Sequence, residues 1–302
     1  MNPSCRSGSV TSGLGRLLHL RSVRVGAVVV ALGVAAFNTE RLPSLTLLPI
    51  VLGLLPWIVG KYVLCPLRWH AISASGRSRR WHLRVYAESE LLGMLSPAHA
   101  GADLWRAHRL RVGAGMDGPS SYAEVGLDRL IGAVALATFV LMAGATLPPQ
   151  VLLAAVGIAA AIIGVALLVR RNRPGLFAGR PRPPMGALIH GFVLSLGYQL
   201  TVMCLLLGGL AATGHTVSPM ALLGVFGASQ VAGIVPGVQG AGPREGALVA
   251  GLMALGVPAR SALGAVSITA VVAWLPALLI GGGCLLAGRF ARNAPKASPA
   301  IA

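Results

Sequence analysis

Apolar residues in this chain fall in long blocks, unlike the alternating or one-sided patterns of a soluble fold. Six stretches stand out, roughly Val23–Phe37, Leu45–Leu64, Leu127–Leu147, Val151–Val169, Met185–Ala212 and Ala262–Ala287. They approach the roughly 20 residues with which a helix crosses a bilayer. Backbone polar groups must be satisfied inside lipid, so each block is expected to be a membrane-spanning helix.

Two further segments do not fit simple spans. Residues 83–112 and 219–256 each carry an apolar arm, a Pro/Gly-rich break and a second helical arm. Such arms are too short to cross singly, and the breaks cannot face lipid, so each segment is expected to form a re-entrant helical hairpin. Pro97 and Gly101 in the first break match Pro236 and Gly240 in the second, with Gly237 beside them. Nine residues after each proline comes a charged residue, Arg106 in one break and Glu245 in the other. Each hairpin follows two blocks and precedes one. The pattern therefore predicts an all-α membrane protein of about six transmembrane helices plus two re-entrant hairpins, built as an inverted repeat. Its single membrane domain, 23–287, divides into halves of about 23–148 and 149–287. Inverted repeats with broken helices at mid-membrane are a transporter signature.

Composition narrows the class. Of 302 residues, 55% are apolar and 11% charged, against about 25% charged in a typical soluble domain. A soluble α/β enzyme, an acidic disordered tail and a disulfide scaffold are excluded. The formal net charge of +17 invites a nucleic-acid reading, but position argues against it. The cations cluster before the first block, between the second and third, after the fourth and after the sixth; only Arg41, Arg244 and Arg260 lie elsewhere. In this count Lys61 and Arg68 belong to the basic stretch after the second block. The positive-inside rule then places residues 1–22 and the tail 288–302 in the cytoplasm. The first hairpin would open to the cytoplasm and the second outward. The N-terminus is read as a retained helix rather than a signal peptide, since no clear small-residue cleavage site follows Phe37. Cys5, Cys65, Cys204 and Cys284 are expected to be buried free thiols. Trp57, Trp69, Trp81, Trp105 and Trp274 are expected mostly as interfacial anchors.

The candidate chemistry sits at the breaks. In the second, Gly242 can cap a helix, Pro243 can open it, and Arg244 and Glu245 fall in its first turn. Glu245, in the third helical position, can fold back on the helix start. However, ionised residues inside a membrane are costly, about 2.5–3.5 kcal/mol each on insertion scales, and need partners or a polar cavity. In the first break, Asp103 and Arg106 lie three apart and can share a helical face. His99 is open between roles, and Glu88 and Glu90 are weak candidates. Asp128 and Arg129 are expected at the start of the third span. Tyr198, Gln199 and Gln230 suit helix-packing hydrogen bonds. No His, Cys or carboxylate set stands at metal-ligand spacing, and no phosphate loop or nucleophile elbow occurs, so no metal or cofactor is expected.

The blocks "LRWHAISASG", "LLGMLSPAHAGADLWRAHRLR", "EVGLDRLIGAVAL" and "GIVPGVQGAGPREGALVAGLMALGVPARSAL" together resemble the transmembrane region of lysylphosphatidylglycerol synthase and its flippase-like relatives. The resemblance covers most of residues 50–285. It implies an inner-membrane protein that moves or supplies lipids or lipid-linked glycans. It also puts Pro97, Gly101, Asp103, Arg106, Asp128, Arg129, Pro236, Gly240, Arg244 and Glu245 on the family's motif positions. Val238 and Gln239 stand where the family commonly has glycines, and Pro243 replaces a usual non-proline. Only residues 288–302 follow the last block, so the soluble aminoacyl-transferase activity of the full synthase is not expected. The expected function is flippase-like transport of a phospholipid or lipid-linked envelope precursor, with Asp103, Arg106, Arg129, Arg244 and Glu245 as substrate-binding residues. The expected partners are membrane lipids, chiefly anionic or phosphate-bearing, and envelope-biosynthesis enzymes, not nucleic acid. An accessory scaffold of an envelope-biosynthesis complex, or a membrane-embedded transferase acting on a lipid phosphate, are the alternatives.

Overall fold

The computed structural model describes residues 46–94, 96, 99–142, 183–233 and 242–293, with scattered positions between 149 and 172. These all lie in one compact unit, Leu42–Ala302. The expected first span, most of the fourth, the N-terminal segment, the end of the tail and the break residues Pro97, Pro236, Gly237 and Gly240 lie outside the described residues.

Four helices are long and apolar enough to cross a membrane: α1 Leu47–Ile72, α4 Gly118–Met142, α5 Met185–Ala212 and α8 Ala259–Gly288. Between them lie two pairs of short helices. The first pair is α2 Arg79–Met94 and α3 Ala100–Ala114; the second is α6 Pro219–Ala232 and α7 Pro243–Ala254. Within each pair the arms pack against each other. The described chain thus runs long, short, short, long, twice over. No strand occurs among the described residues.

The long helices carry large exposed apolar side chains, among them Leu47, Leu52, Met142, Leu200 and Leu279. In water such surface would be a liability; against acyl chains it is the required lining. This is a multi-pass membrane protein. Lipid removes the hydrophobic drive between helices, so close packing must hold them together. The most enclosed span, α5, packs against α1, α4 and α8. A Cβ on Gly53 of α1 would stand 2.5 Å from the Cys204 carbonyl oxygen of α5, so only glycine permits that approach.

Prolines reshape α1 and α8. Within α1, residues Gly60–Leu64 form a widened turn just ahead of Pro66, and Ala277–Gly281 of α8 widen just after Pro276. Proline cannot donate to the helical ladder and crowds the preceding turn, and in α1 the widened turn is that preceding one. In α1 the widened turn carries Lys61 and Tyr62, and Tyr62 is buried.

Several expectations are corrected here. Lys61 and Arg68 are not loop cations; both lie within α1, and Arg68 is buried. Asp128 and Arg129 do not begin the third span. That helix starts at Gly118, because the polar run before Leu127 is helical too, and Asp128 sits about three turns in. Trp69 and Trp57 are core residues, 0% and 5% exposed, rather than interfacial anchors. Cys65 is buried, but Cys204 is exposed on the outer side of α5 and Cys284 is half-buried.

Candidate functional site

The first hairpin closes through a local hydrogen-bond knot. Ser96 Oγ accepts from the Gly101 N–H at 2.7 Å and donates to the Gly93 carbonyl at 3.0 Å. A Cβ on Gly101 would meet the Leu92 carbonyl oxygen at 2.5 Å, so this position tolerates only glycine without displacement. His99, just ahead of α3, takes a left-handed backbone with φ 60°, uncommon for a residue with a side chain. Its Nε2 faces Glu90 Oε2 at 3.2 Å, and Lys61 Nζ reaches the same oxygen at 2.9 Å. Glu90 is 2% exposed, so α1, α2 and the hairpin turn meet on one buried carboxylate.

A second set of charges runs from the core to the surface. Asp128, fully buried, accepts two hydrogen bonds from Arg68 at 2.7 and 2.9 Å and one from Arg106 Nη1 at 2.7 Å. Arg106 Nη2 donates to Asp103 Oδ1 at 2.7 Å, and Arg129 Nε donates to both Asp103 oxygens at 3.0 and 3.1 Å. The guanidinium of Arg106 also lies 5.4 Å from the Trp69 ring and 5.3 Å from the Tyr86 ring. Charges this deep persist only when paired and hydrogen-bonded. The result is a five-membered relay, Arg68–Asp128–Arg106–Asp103–Arg129, whose last guanidinium is half exposed.

At the start of α7, Glu245 Oε2 accepts from the Gly242 N–H at 2.9 Å, the fold-back of a helix cap. Arg244 lies against the amide of Gln230 on α6. With the amide oxygen turned toward it, that oxygen accepts from Arg244 Nε and Nη2, each at 3.2 Å.

These features converge on one cavity of about 300 Å³. Its polar wall holds Lys61, His99, Arg129, Arg244 and Glu245; the apolar wall includes Trp57, Val202, Leu206, Leu248 and Val266. It is bordered by the turn of the first hairpin and by the opening turn of the second hairpin's second arm. Of the residues proposed from the sequence, Arg129, Arg244 and Glu245 line it. Asp103 stands behind Arg129, and Arg106 is buried away from the cavity, bonded to Asp103 and Asp128. Gly101 sits in the hairpin turn.

Lys61 and Tyr198 also line the cavity, although the sequence reading placed the first in a loop and gave the second to helix packing. The signal for Lys61 was present: a lysine inside an apolar block is expensive and seeks a partner. Asp128 carries the same signal.

On the opposite end of α2, outside the four spans, His82 is 1% exposed and stacks edge-on against Trp69. Its Nδ1 faces the Ser78 carbonyl oxygen at 3.0 Å, so that nitrogen carries the proton. Burial pushes its pKa down to about 4, reinforced by nearby His70 and opposed by the Ser78 hydrogen bond.

The profile of the family described as "Lysylphosphatidylglycerol synthase TM region" matches residues 17–281. No curated protein and no solved structure matches the chain significantly.

Proposed function

This chain belongs to the lysylphosphatidylglycerol synthase transmembrane-region family, and from that premise we propose that it is a flippase-like transporter of a phosphate-bearing lipid. Membership places it among membrane proteins of lipid and envelope metabolism. In this reading both termini face the cytoplasm across the inner membrane. The two hairpins enter from opposite leaflets, and the long–short–short–long order of each half is that of an inverted repeat.

One observation carries the proposal: the cavity joins a cationic wall to an apolar one, and both hairpins border it. A lipid has the same division. Its phosphate would sit against Arg244 and Arg129 through charge-assisted hydrogen bonds. The free N–H groups opening α7 would add to that attraction. Its acyl chains would leave along the apolar side toward the membrane. Glu245, whose carboxylate caps α7, would offset the charge of Arg244 without forming an ion pair with it. Asp103, Arg106 and Asp128 would hold Arg129 in place from behind. Two short helices able to shift against the long spans would open the cavity to each leaflet in turn.

The test is lipid translocation by purified protein in vesicles containing a fluorescent phospholipid. Wild-type protein should move the label across the bilayer. Arg244→Ala, still monodisperse and helical, should not. Translocation at the wild-type rate by that variant would remove the role assigned to the cavity.

A further inference from the structure

We infer that a second site, outside the cavity and between the first hairpin and the C-terminal end of α8, holds an anionic phospholipid as a resident lipid that stays bound and is not transported. Its occupancy is independent of what the cavity moves.

The site is built around Glu88 of α2, which is 2% exposed. Arg84, one turn earlier on the same helix, donates from Nε to Glu88 Oε1 at 3.0 Å. Trp105 Nε1 of α3 donates to Oε2 at 3.1 Å. Arg109, one turn beyond Trp105, brings its Nε to 3.4 Å from that same oxygen and its guanidinium to 5.9 Å from the Trp105 ring. Arg84 also crosses to α8, where its Nη2 donates to the Cys284 carbonyl oxygen at 3.4 Å. Gly288, one turn further along α8, leaves that crossing open, since a Cβ there would collide with Arg84 Nη2. Three helices therefore meet on two guanidiniums and one carboxylate.

The cluster carries one positive charge over. Among the described residues Glu88 is the one carboxylate within ion-pair distance of either arginine. Arg84 and Trp105 occupy its oxygens, and Arg109 Nε is sealed from solvent without a hydrogen bond among the described residues. A buried donor in that state marks a missing acceptor. The Arg84 side chain is 41% exposed, so the surplus charge opens outward. Arg80, exposed and one turn before Arg84, lies on the same face of α2 and extends the charge. The helix that ends α8 runs on to Asn293 through Arg289 and Arg292.

The surroundings decide which anion fits. One to two turns deeper than Cys284, α8 exposes Leu278 and Leu279. Trp105 is an amphipathic ring of the kind found at headgroup level. A phospholipid satisfies both parts: its phosphate accepts charge-assisted hydrogen bonds from the arginines, and its chains lie along the leucines. A soluble anion satisfies only the first. Basic pockets between membrane helices recur as sites for anionic headgroups.

The test is native mass spectrometry of the full chain in detergent, with cardiolipin as the anionic probe and phosphatidylcholine as the zwitterionic one. Wild-type protein should retain cardiolipin at least about tenfold more tightly, a difference of about 1.4 kcal/mol. The cavity variant Arg244→Ala should retain it equally well. Arg84→Gln and Arg109→Gln should each lose most of that preference, and Arg109→Lys should keep it. Arg109 makes no hydrogen bond among the described residues, so its replacement should leave the fold intact. A second measurement needs no variant: at about 1 M salt, where the screening length is about 3 Å, the wild-type preference should collapse.

An unchanged preference in Arg109→Gln would overturn the assignment. So would phosphatidylcholine binding as tightly as cardiolipin, displacement of cardiolipin by inorganic phosphate, or a preference indifferent to salt. Loss in Arg244→Ala with retention in Arg109→Gln would move the lipid into the cavity and end the claim of a second site.

Discussion

Arg106 of α3 and Asp128 of α4 meet at 2.7 Å with side chains 2% and 0% exposed. Their pairing ties the second arm of the first hairpin to a membrane-spanning helix. Asp128 is shared with Arg68 of α1, so three helices depend on one carboxylate. The same Arg106 holds Asp103, which holds Arg129 at the cavity. Packing in the core is thus linked to the position of a charge at the site.

Asp128→Asn should be the most damaging substitution in the relay. It leaves Arg68 buried without a counter-charge and Arg106 with Asp103 alone, and breaking a buried pair costs about 3–5 kcal/mol. Arg106→Gln should cost less, because Asp128 retains its two hydrogen bonds from Arg68. Thermal unfolding of both variants in the same detergent checks the order; equal losses would mean that Asp128 does not hold both arginines.

Glu245 has separable structural and electrostatic roles. Glu245→Ala removes the acceptor for the Gly242 N–H and should lower stability by about 0.5–2 kcal/mol, the range for a lost helix cap. Glu245→Gln keeps an acceptor and should lose only a few tenths of that. Both should impair translocation if the carboxylate balances Arg244. Unfolding midpoints and vesicle assays on the same preparations separate the two effects.

His82 should give the fold a dependence on mild acid. Its pKa is about 4 in the folded protein against 6.5 for the free group. The unfolded chain therefore binds the proton first as pH falls. Stability is complete above pH 6.5 and declines from there toward pH 4, by up to about 1.4 kcal/mol per pH unit for this one group. His82→Gln should flatten that part of the stability profile. A wild-type midpoint that changes no more than the variant's between pH 6.5 and 4.5 would contradict this assignment.

The membrane class was legible in the sequence from local pattern alone. The block Met185–Ala212 is a helix over those same residues, and the segments 83–112 and 219–256 are pairs of packed short helices. Apolar block length is a local property, and lipid allows a helix as the answer to it. The fold-back of Glu245 was equally readable, because a cap spans three residues. The start of α4 was less so: hydropathy marks where lipid contact begins, while the helix runs eight residues or more before Leu127 through polar positions.

Which residues would need partners was also written in the chain, since Lys61, Asp128, Arg244 and Glu245 are costly wherever apolar residues surround them. Which partner each found was not. Arg68 and Asp128 are 60 positions apart, and Arg68 and Ser195 are 127 apart. Such pairs form only when helix packing, set by glycine contacts and proline-widened turns, brings distant faces together. Sequence by itself determined the four described spans and the hairpin arms, and marked Arg244 and Glu245 as expensive charges. The tertiary structure decided that Lys61 faces a cavity, that Arg106 stands behind it, and that Arg129 and Arg244 line it together, because low dielectric demands pairing but only geometry chooses the pair.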